Sequence, residues 1–212
     1  TYANRVGLSE TKDMRQNQGV RPINTEKIFE QAGAILKGHF LLTSGLHSPV
    51  YWEKFKVLQS PPHTEQLCRM IADNFREQKI QVVAAPTTGG IILAFETARQ
   101  LGARSIFAEK EREVRVFRRD FEIAPGEHVL IVDDNVTTGS SLRETISAVA
   151  KQGGIIVGIG VLVDRSEENL DFDLPFFSCL RAPTTVYSPQ ECPLCAANIP
   201  LVKPGASNQQ PV

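Results

Sequence analysis

Two adjacent carboxylates, Asp133 and Asp134, close the apolar run Val129–Val132 and are followed by small hydroxyl residues and a glycine in VLIVDDNVTTGSS. Like charges repel, and a strand buried on both faces has no room for two acids. Their partner must lie in front of the turn. The residues that follow suit a phosphate. Thr137, Thr138, Ser140 and Ser141 offer hydroxyl donors. Gly139 lets the backbone approach without a Cβ, and a helix N-terminus stands behind. Backbone N–H groups from Asn135 and Val136 onward face the same spot. The two acids suit the vicinal hydroxyls of a ribose, or an Mg²⁺ held against them. A ribose 5-phosphate satisfies both halves. The run is not a Walker A loop, which needs Gly-Lys before its Ser or Thr, nor a dinucleotide GxGxxG.

Such a turn belongs at the carboxyl end of a strand in an open parallel sheet. The surrounding pattern supplies one. INTEKIFEQAGAILKG reads as a helix capped by Asn24 or Thr25, with Ile28, Ala32, Ile35 and Leu36 on one face and Gly38 at its end. HFLLTSGLHSPVYW gives two short strands around a Ser-Gly turn. TEQLCRMIADNFREQ is an amphipathic helix behind Pro61 and Pro62, with Leu67, Met70, Ile71, Asn74 and Phe75 at helical spacing. A buried strand, VVAAP, leads through TTGG into a helix ending at Gly102. SIFAE is the next strand. The charged stretch EREVRVFRRDFEI reads as an exposed hairpin or mobile loop. Pro125–Gly126 turns the chain into HVLIVDD, then the helix SLRETISAVAKQGG and the strand IIVGIGVLVD. This alternation predicts an α/β fold, a parallel sheet with helices on both faces. Residues 1–22 and 203–212 read as flexible tails around a single domain, 23–202, whose first part, 23–60, forms a small hood.

The 212 residues suffice for one such domain, and a net charge of −1 gives no overall attraction to nucleic acid or anionic membrane. Anion binding must therefore be local. No apolar run approaches a membrane span and the first residues lack a signal-peptide core, so the expected compartment is the cytoplasm. Of four cysteines, Cys68 and Cys179 sit in apolar contexts and read as buried thiols. CPLC, Cys192 to Cys195, is half of a zinc pattern, with no second CxxC or His pair to complete it. A turn and a cross-subunit site are the other readings.

The strand, two acids, two variable residues, Thr-Thr-Gly and small hydroxyls resemble the 5-phosphoribosyl diphosphate signature of type I phosphoribosyltransferases. Three further stretches resemble the orotate phosphoribosyltransferase branch. GHFLLTSGLHSPVYWEKFKVL resembles its N-terminal segment, in which aromatics cover the base, matched here by Tyr51 and Trp52. VVAAPTTGGIILAFETARQLG resembles its second strand–loop–helix, whose loop holds the diphosphate. GVLVDRSEE places Arg165 where that family has an arginine facing the orotate carboxylate. A guanidinium pairs two-pronged with a carboxylate, which agrees. With the ending CPLCAANIPLVKPG, the likeness covers residues 24–205. The chain departs from better-known members in three places. Their N-terminal lysine falls at Thr43 or His47, their Tyr-Lys at Thr88–Gly89, and their mobile-loop arginine at Glu109, beside Lys110.

The resemblance implies transfer of 5-phosphoribose from phosphoribosyl diphosphate to orotate, with Mg²⁺ as cofactor. Asp133 and Asp134 would orient the ribose and hold the metal. Thr137 to Ser141 would grip the 5′-phosphate, with Thr137 also near the orotate. Thr87, Thr88, Gly89 and Gly90 would hold the diphosphate. Lys110, with Arg112 and the further charges of Arg115, Arg118 and Arg119, would stabilise the leaving group. The mobile loop of this family closes over the neighbouring subunit's site, implying a homodimer. Two alternatives stand beside this reading: a phosphoribosyltransferase for another base, and a regulator that senses phosphoribosyl diphosphate. The latter usually adds a DNA-binding domain or basic face, for which the first 22 residues are too short.

Overall fold

The computed structural model of the chain describes residues 24–42, 44–183 and 185–204. Thr43, most of the two tails, and Thr184 lie outside the described residues. A six-stranded sheet forms the body, in the order β5-β4-β3-β6-β7-β8. Its members are β3 (Val82–Pro86), β4 (Arg104–Glu111), β5 (Val114–Phe117), β6 (His128–Val136), β7 (Ile155–Asp164) and β8 (Phe176–Arg181). All neighbours pair parallel except β4 and β5, which form an antiparallel hairpin. The charged stretch is therefore the hairpin of the two expectations, with Lys110 opposite Arg115.

Side-chain alternation sorts the sheet into two cores. Val83 and Ala85 of β3 and Leu130 and Val132 of β6 face α3 (Pro61–Phe75) and α4 (Gly89–Leu101), meeting Leu67, Ile71, Phe75 and Leu93. Val82, Ala84, Val129 and Ile131 face α5 (Ser140–Lys151), meeting Leu142 and Val149. Close approach of α3 to β7 is set by two glycines: a Cβ at Gly158 would overlap the Phe75 ring, and one at Gly160 would press Ile71.

The hood is a two-stranded antiparallel hairpin, β1 (Ile35–Leu41) and β2 (His47–Trp52). Here the sequence expectation of one helix from Asn24 to Gly38 fails. The helix α1 covers only Thr25–Gln31, with the Asn24 side chain accepting from Lys27 N at 2.9 Å as a cap. Gly33 takes φ +62° and turns the chain, so Ile35 and Leu36 enter β1. A left-handed glycine two residues past the helix overrides the apolar spacing. Pro61 and Pro62 lie inside the first turn of α3, where their missing N–H groups cost nothing. A short helix α2 (Lys54–Leu58), absent from the sequence reading, links hood and body.

The last segment, with its short helix α6 (Pro193–Ala196), folds back onto the hood. Tyr187 and His47 exchange both backbone hydrogen bonds at 2.9 Å, and Val202 bonds His39 O at 2.8 Å and Leu41 N at 2.9 Å. Among the described residues no helix is long and apolar enough to cross a membrane.

Candidate active site

The nine residues of β6 carry Asp133 and Asp134 to the carboxyl end of the sheet, beside the loop that follows β3. Both acids are buried, at 7% and 3% exposure, so their charges must be answered locally. Asp134 is answered by Lys54, whose Nζ lies 2.8 Å from Oδ1 and 2.7 Å from Oδ2. Asn135 Nδ2 donates to the same carboxylate at 2.7 Å. Asp133 accepts only the backbone N–H of Asp134, at 2.8 Å, among the described hydrogen bonds. Its carboxyl is held well above the ordinary range, first by burial and then by the charge of Asp134.

A cavity of about 180 Å³ opens in front of these acids. It is lined by Thr87, Thr88, Asp133, Asp134, Asn135, Val136, Thr137, Thr138, Gly139, Ser140, Ser141 and Lys54, joined by Leu142. Gly139 takes φ +78° at the N-terminus of α5, so the turn residues converge with the helix end behind them. The Thr87–Thr88 peptide bond is cis. Gly89 does not line the cavity. It lets the α4 terminus abut Asp134, because a Cβ there would overlap the Asp134 carboxylate.

A second cavity, of about 660 Å³, continues from the first and shares Lys54, Asn135, Thr137 and Thr138 with it. Tyr51, Trp52 and Arg165 line it. Alternation along β2 would turn one aromatic away, but both reach this wall. Trp52 is the last residue of β2 and the chain bends there into α2. Phe29 backs Trp52 edge-on at 5.4 Å, and Phe40 backs Tyr51 at 5.7 Å. Burial pulls the Arg165 guanidinium below its usual range and pushes the Tyr51 phenol up. Lys203 and Pro204, which the sequence assigns to a loose tail, line the same cavity.

The hairpin residues separate. Lys110 and Arg112 lie outside both cavity linings, with Lys110 Nζ bonded to Glu144 at 2.7 Å. Arg118 and Arg119 pair with Glu111 and Glu109 on the surface, at 2.8 and 2.7 Å. Arg115 is different. Its side chain is 9% exposed and its guanidinium lies 3.4 Å from Thr87 Oγ1 and 3.3 Å from Ser141 Oγ, tying the turn after β3 to the start of α5. It stands 3.5 Å from Glu144 without hydrogen-bond alignment there. Lys54 and the particular role of Arg115 escaped the sequence reading. Lys54 sits two residues beyond the aromatic pair, and only its contact with Asp134, 80 residues away, distinguishes it from the other lysines. His47, the proposed stand-in for a ligand-facing lysine, is buried against His39 and Cys195 instead.

The donor set at the acids is oxygen only, the kind that a hard cation takes. A buried carboxylate whose ionised form is disfavoured gains from a bound divalent cation, so Asp133 and Asp134 fit Mg²⁺.

A small polar cavity runs into a larger one walled by aromatics at the carboxyl edge of a parallel sheet, an arrangement that suits a phosphorylated sugar and a planar partner. Residues 56–195 match the phosphoribosyl transferase domain, and the chain belongs to that family. Solved structures share the fold but differ in the base their names carry. An adenine phosphoribosyltransferase from Rhodothermus marinus aligns over 74% of this chain and 99% of its own, with TM-score 0.60 and 23% identity. An orotate phosphoribosyltransferase from Aeropyrum pernix aligns over 73% and 92%, with TM-score 0.64 and 25% identity. Sequence decides between them: the orotate phosphoribosyltransferase of Caldanaerobacter subterraneus subsp. tengcongensis is 49% identical over 180 residues, 85% of this chain and 95% of that protein. Within the family, the chain belongs to the orotate phosphoribosyltransferase branch.

Proposed function

We propose that the chain transfers 5-phosphoribose from phosphoribosyl diphosphate to orotate, giving orotidine 5′-monophosphate and diphosphate. The observation that carries this reading is the continuity of the two cavities across Lys54, Asn135, Thr137 and Thr138, with acids and hydroxyls at one end and Tyr51, Trp52 and Arg165 at the other. The Thr137–Ser141 turn grips the 5′-phosphate through N–H and hydroxyl donors. Asp133 and Asp134 accept from the ribose hydroxyls. Arg165 pairs with the orotate carboxylate, and the aromatics cover the ring.

As the C1′–O bond to diphosphate breaks, positive charge grows on the ribose and negative charge on the leaving oxygens. Asp134, paired with Lys54, faces the growing cation. Lys54, held on Asp134, stands where both cavities meet and offers its ammonium to the leaving group. Thr87, Thr88 and the α4 terminus receive the diphosphate, with Arg115 behind. Asp133 and Asp134 would hold Mg²⁺, which would supply charge neutralisation for the diphosphate. Lys110 and Arg112 stand outside their own chain's cavities, which supports action in the site of a second copy, as a homodimer. The setting that goes with this metabolism is the cytoplasm.

The test is loss of orotate ultraviolet absorbance with phosphoribosyl diphosphate and Mg²⁺, run beside adenine, hypoxanthine, xanthine and uracil. Turnover of orotate alone is expected; product from a purine alone would overturn the assignment.

A further inference from the structure

The hood hides a second constellation with no part in the transfer chemistry. His39 of β1, His47 of β2, and Cys192 and Cys195 at the start of α6 bring one ligand atom each within 4.8 Å of all the others. His39, His47 and Cys192 are buried, and both cysteines are free thiols. We propose that these four residues form a structural zinc site that clamps the C-terminal segment to the hood.

The geometry is close to that of a tetrahedral site. Zinc at about 2.0 Å from nitrogen and 2.3 Å from sulfur gives N···S edges of about 3.5 Å. Three of the four N···S edges are 3.3 Å for Cys195 Sγ to His47 Nδ1, 3.5 Å for Cys192 Sγ to His39 Nε2 and 3.7 Å for Cys195 Sγ to His39 Nε2, and every separation in the cluster is within 4.8 Å. The two imidazole nitrogens stand 2.9 Å apart and part by roughly 0.4 Å to complete the figure.

Proton accounting also favours a cation. His39 Nδ1 lies 2.8 Å from Ile199 O, a carbonyl that only accepts, so Nδ1 carries the hydrogen. In the neutral ring Nε2 then presents a lone pair. His47 Nδ1, Cys192 Sγ and Cys195 Sγ all converge on that one lone pair. A single proton can satisfy one such contact, whereas a zinc ion, with the two thiol protons released to solvent, takes a lone pair from each of the four ligands at once. A carbonyl fixing the distal nitrogen of a ligating histidine is the usual support for such a site. Four protein ligands leave no open position, which makes the site structural. The surrounding backbone fits that role: both histidines lie where Tyr187 and Val202 hydrogen-bond to the hood. The clamped chain continues into Lys203 and Pro204, in the wall of the aromatic cavity.

The experiment uses the full chain, produced without a histidine tag and purified without chelator or added zinc. Elemental analysis should find about one zinc per chain. Alkylation followed by mass spectrometry should find Cys192 and Cys195 protected until a strong chelator is added. The melting temperature should fall by about 10 °C on zinc removal and recover on readdition. Cobalt(II) in place of zinc should give the intense visible bands of a tetrahedral thiolate site. A chain that neither retains zinc nor takes it up stoichiometrically would overturn the proposal, as would a Cys192–Cys195 disulfide in the purified protein. So would full zinc content in a Cys192→Ser/Cys195→Ser variant. If that variant does not fold, alkylation of the unaltered chain decides. None of these readouts uses catalysis, so the outcome is independent of the base assignment.

Discussion

The two ends of the cleft are built in opposite ways. The end to which the proposed function assigns the phosphate comes mostly from one contiguous stretch, Asp133 to Leu142, with Lys54, Thr87 and Thr88 added from outside. The end to which it assigns the base is assembled from the hood, the turn after β7, Val186 and the residues after Val202, joined by the shared Lys54, Asn135, Thr137 and Thr138. A phosphate needs several donors at one point, and a single turn before a helix provides them. A planar base needs walls on several sides, and only distant segments can supply those. The phosphate end should therefore fail through local substitutions, and the base end through loss of tertiary docking.

The largest break lies where the two ends meet. Asp134→Asn should lower orotate turnover by about 100- to 1000-fold with the melting temperature nearly unchanged. Lys54→Met should cost a similar factor, because it removes the ammonium at the junction and leaves a buried acid unpaired. The double variant should lose less than the product of the two, as partners in one ion pair do. Strict multiplication of the losses would separate the residues and remove Lys54 from the mechanism. Gly89→Ala tests the same carboxylate from behind. Its Cβ would overlap the Asp134 carboxylate, so activity should drop by roughly 10- to 100-fold through displacement of the acid. Wild-type turnover in that variant would show that Asp134 tolerates the shift.

At the base end, Arg165→Lys should raise KM for orotate by about tenfold and leave KM for phosphoribosyl diphosphate within about twofold, since lysine cannot make the two-pronged contact. Equal rises in both constants would move Arg165 from the base to the phosphate end.

The contrast also explains what could be read from sequence. The alternation of strands and helices along the chain, the Asn24 cap, the Gly102 stop and the turn after Asp134 all rest on neighbours in the chain, and they were legible, whereas β8 was not. The first helix was overextended because Ile35 and Leu36 keep helical spacing after Gly33 has turned the backbone. Lys54 was missed because its meaning is a contact 80 residues away. The CPLC pair looked incomplete for the same reason. Its histidines lie on two strands of a hairpin, with His39 153 residues before Cys192, and no local spacing rule joins them. The arginines of the β4–β5 hairpin look alike in sequence, yet only Arg115 turns inward, because it stands opposite Lys110 on a strand whose inner face meets α5.

The smallest effect comes from Asp133, and its sign is opposite to the others. Burial and the charge of Asp134 hold its folded carboxyl above the range of an exposed one. Between the ordinary carboxylate value and that raised value, the folded chain holds a proton that the unfolded chain has released. Stability from this group is therefore greatest in acid, declines as pH rises through that window, and levels off above it. Asp133→Asn keeps an oxygen for the Asp134 N–H at 2.8 Å and cannot ionise. The variant should lose activity but melt higher at pH 8, by roughly 3–6 °C, with the gap closing toward pH 4. The check is a melting curve for both proteins at each pH without Mg²⁺. Adding Mg²⁺ should then raise the unaltered protein toward the variant, since a cation at the acids relieves the same buried charge. Parallel curves at every pH would mean that Asp133 is no strained acid, and the case for a cation between the two carboxylates would rest on Asp134 alone.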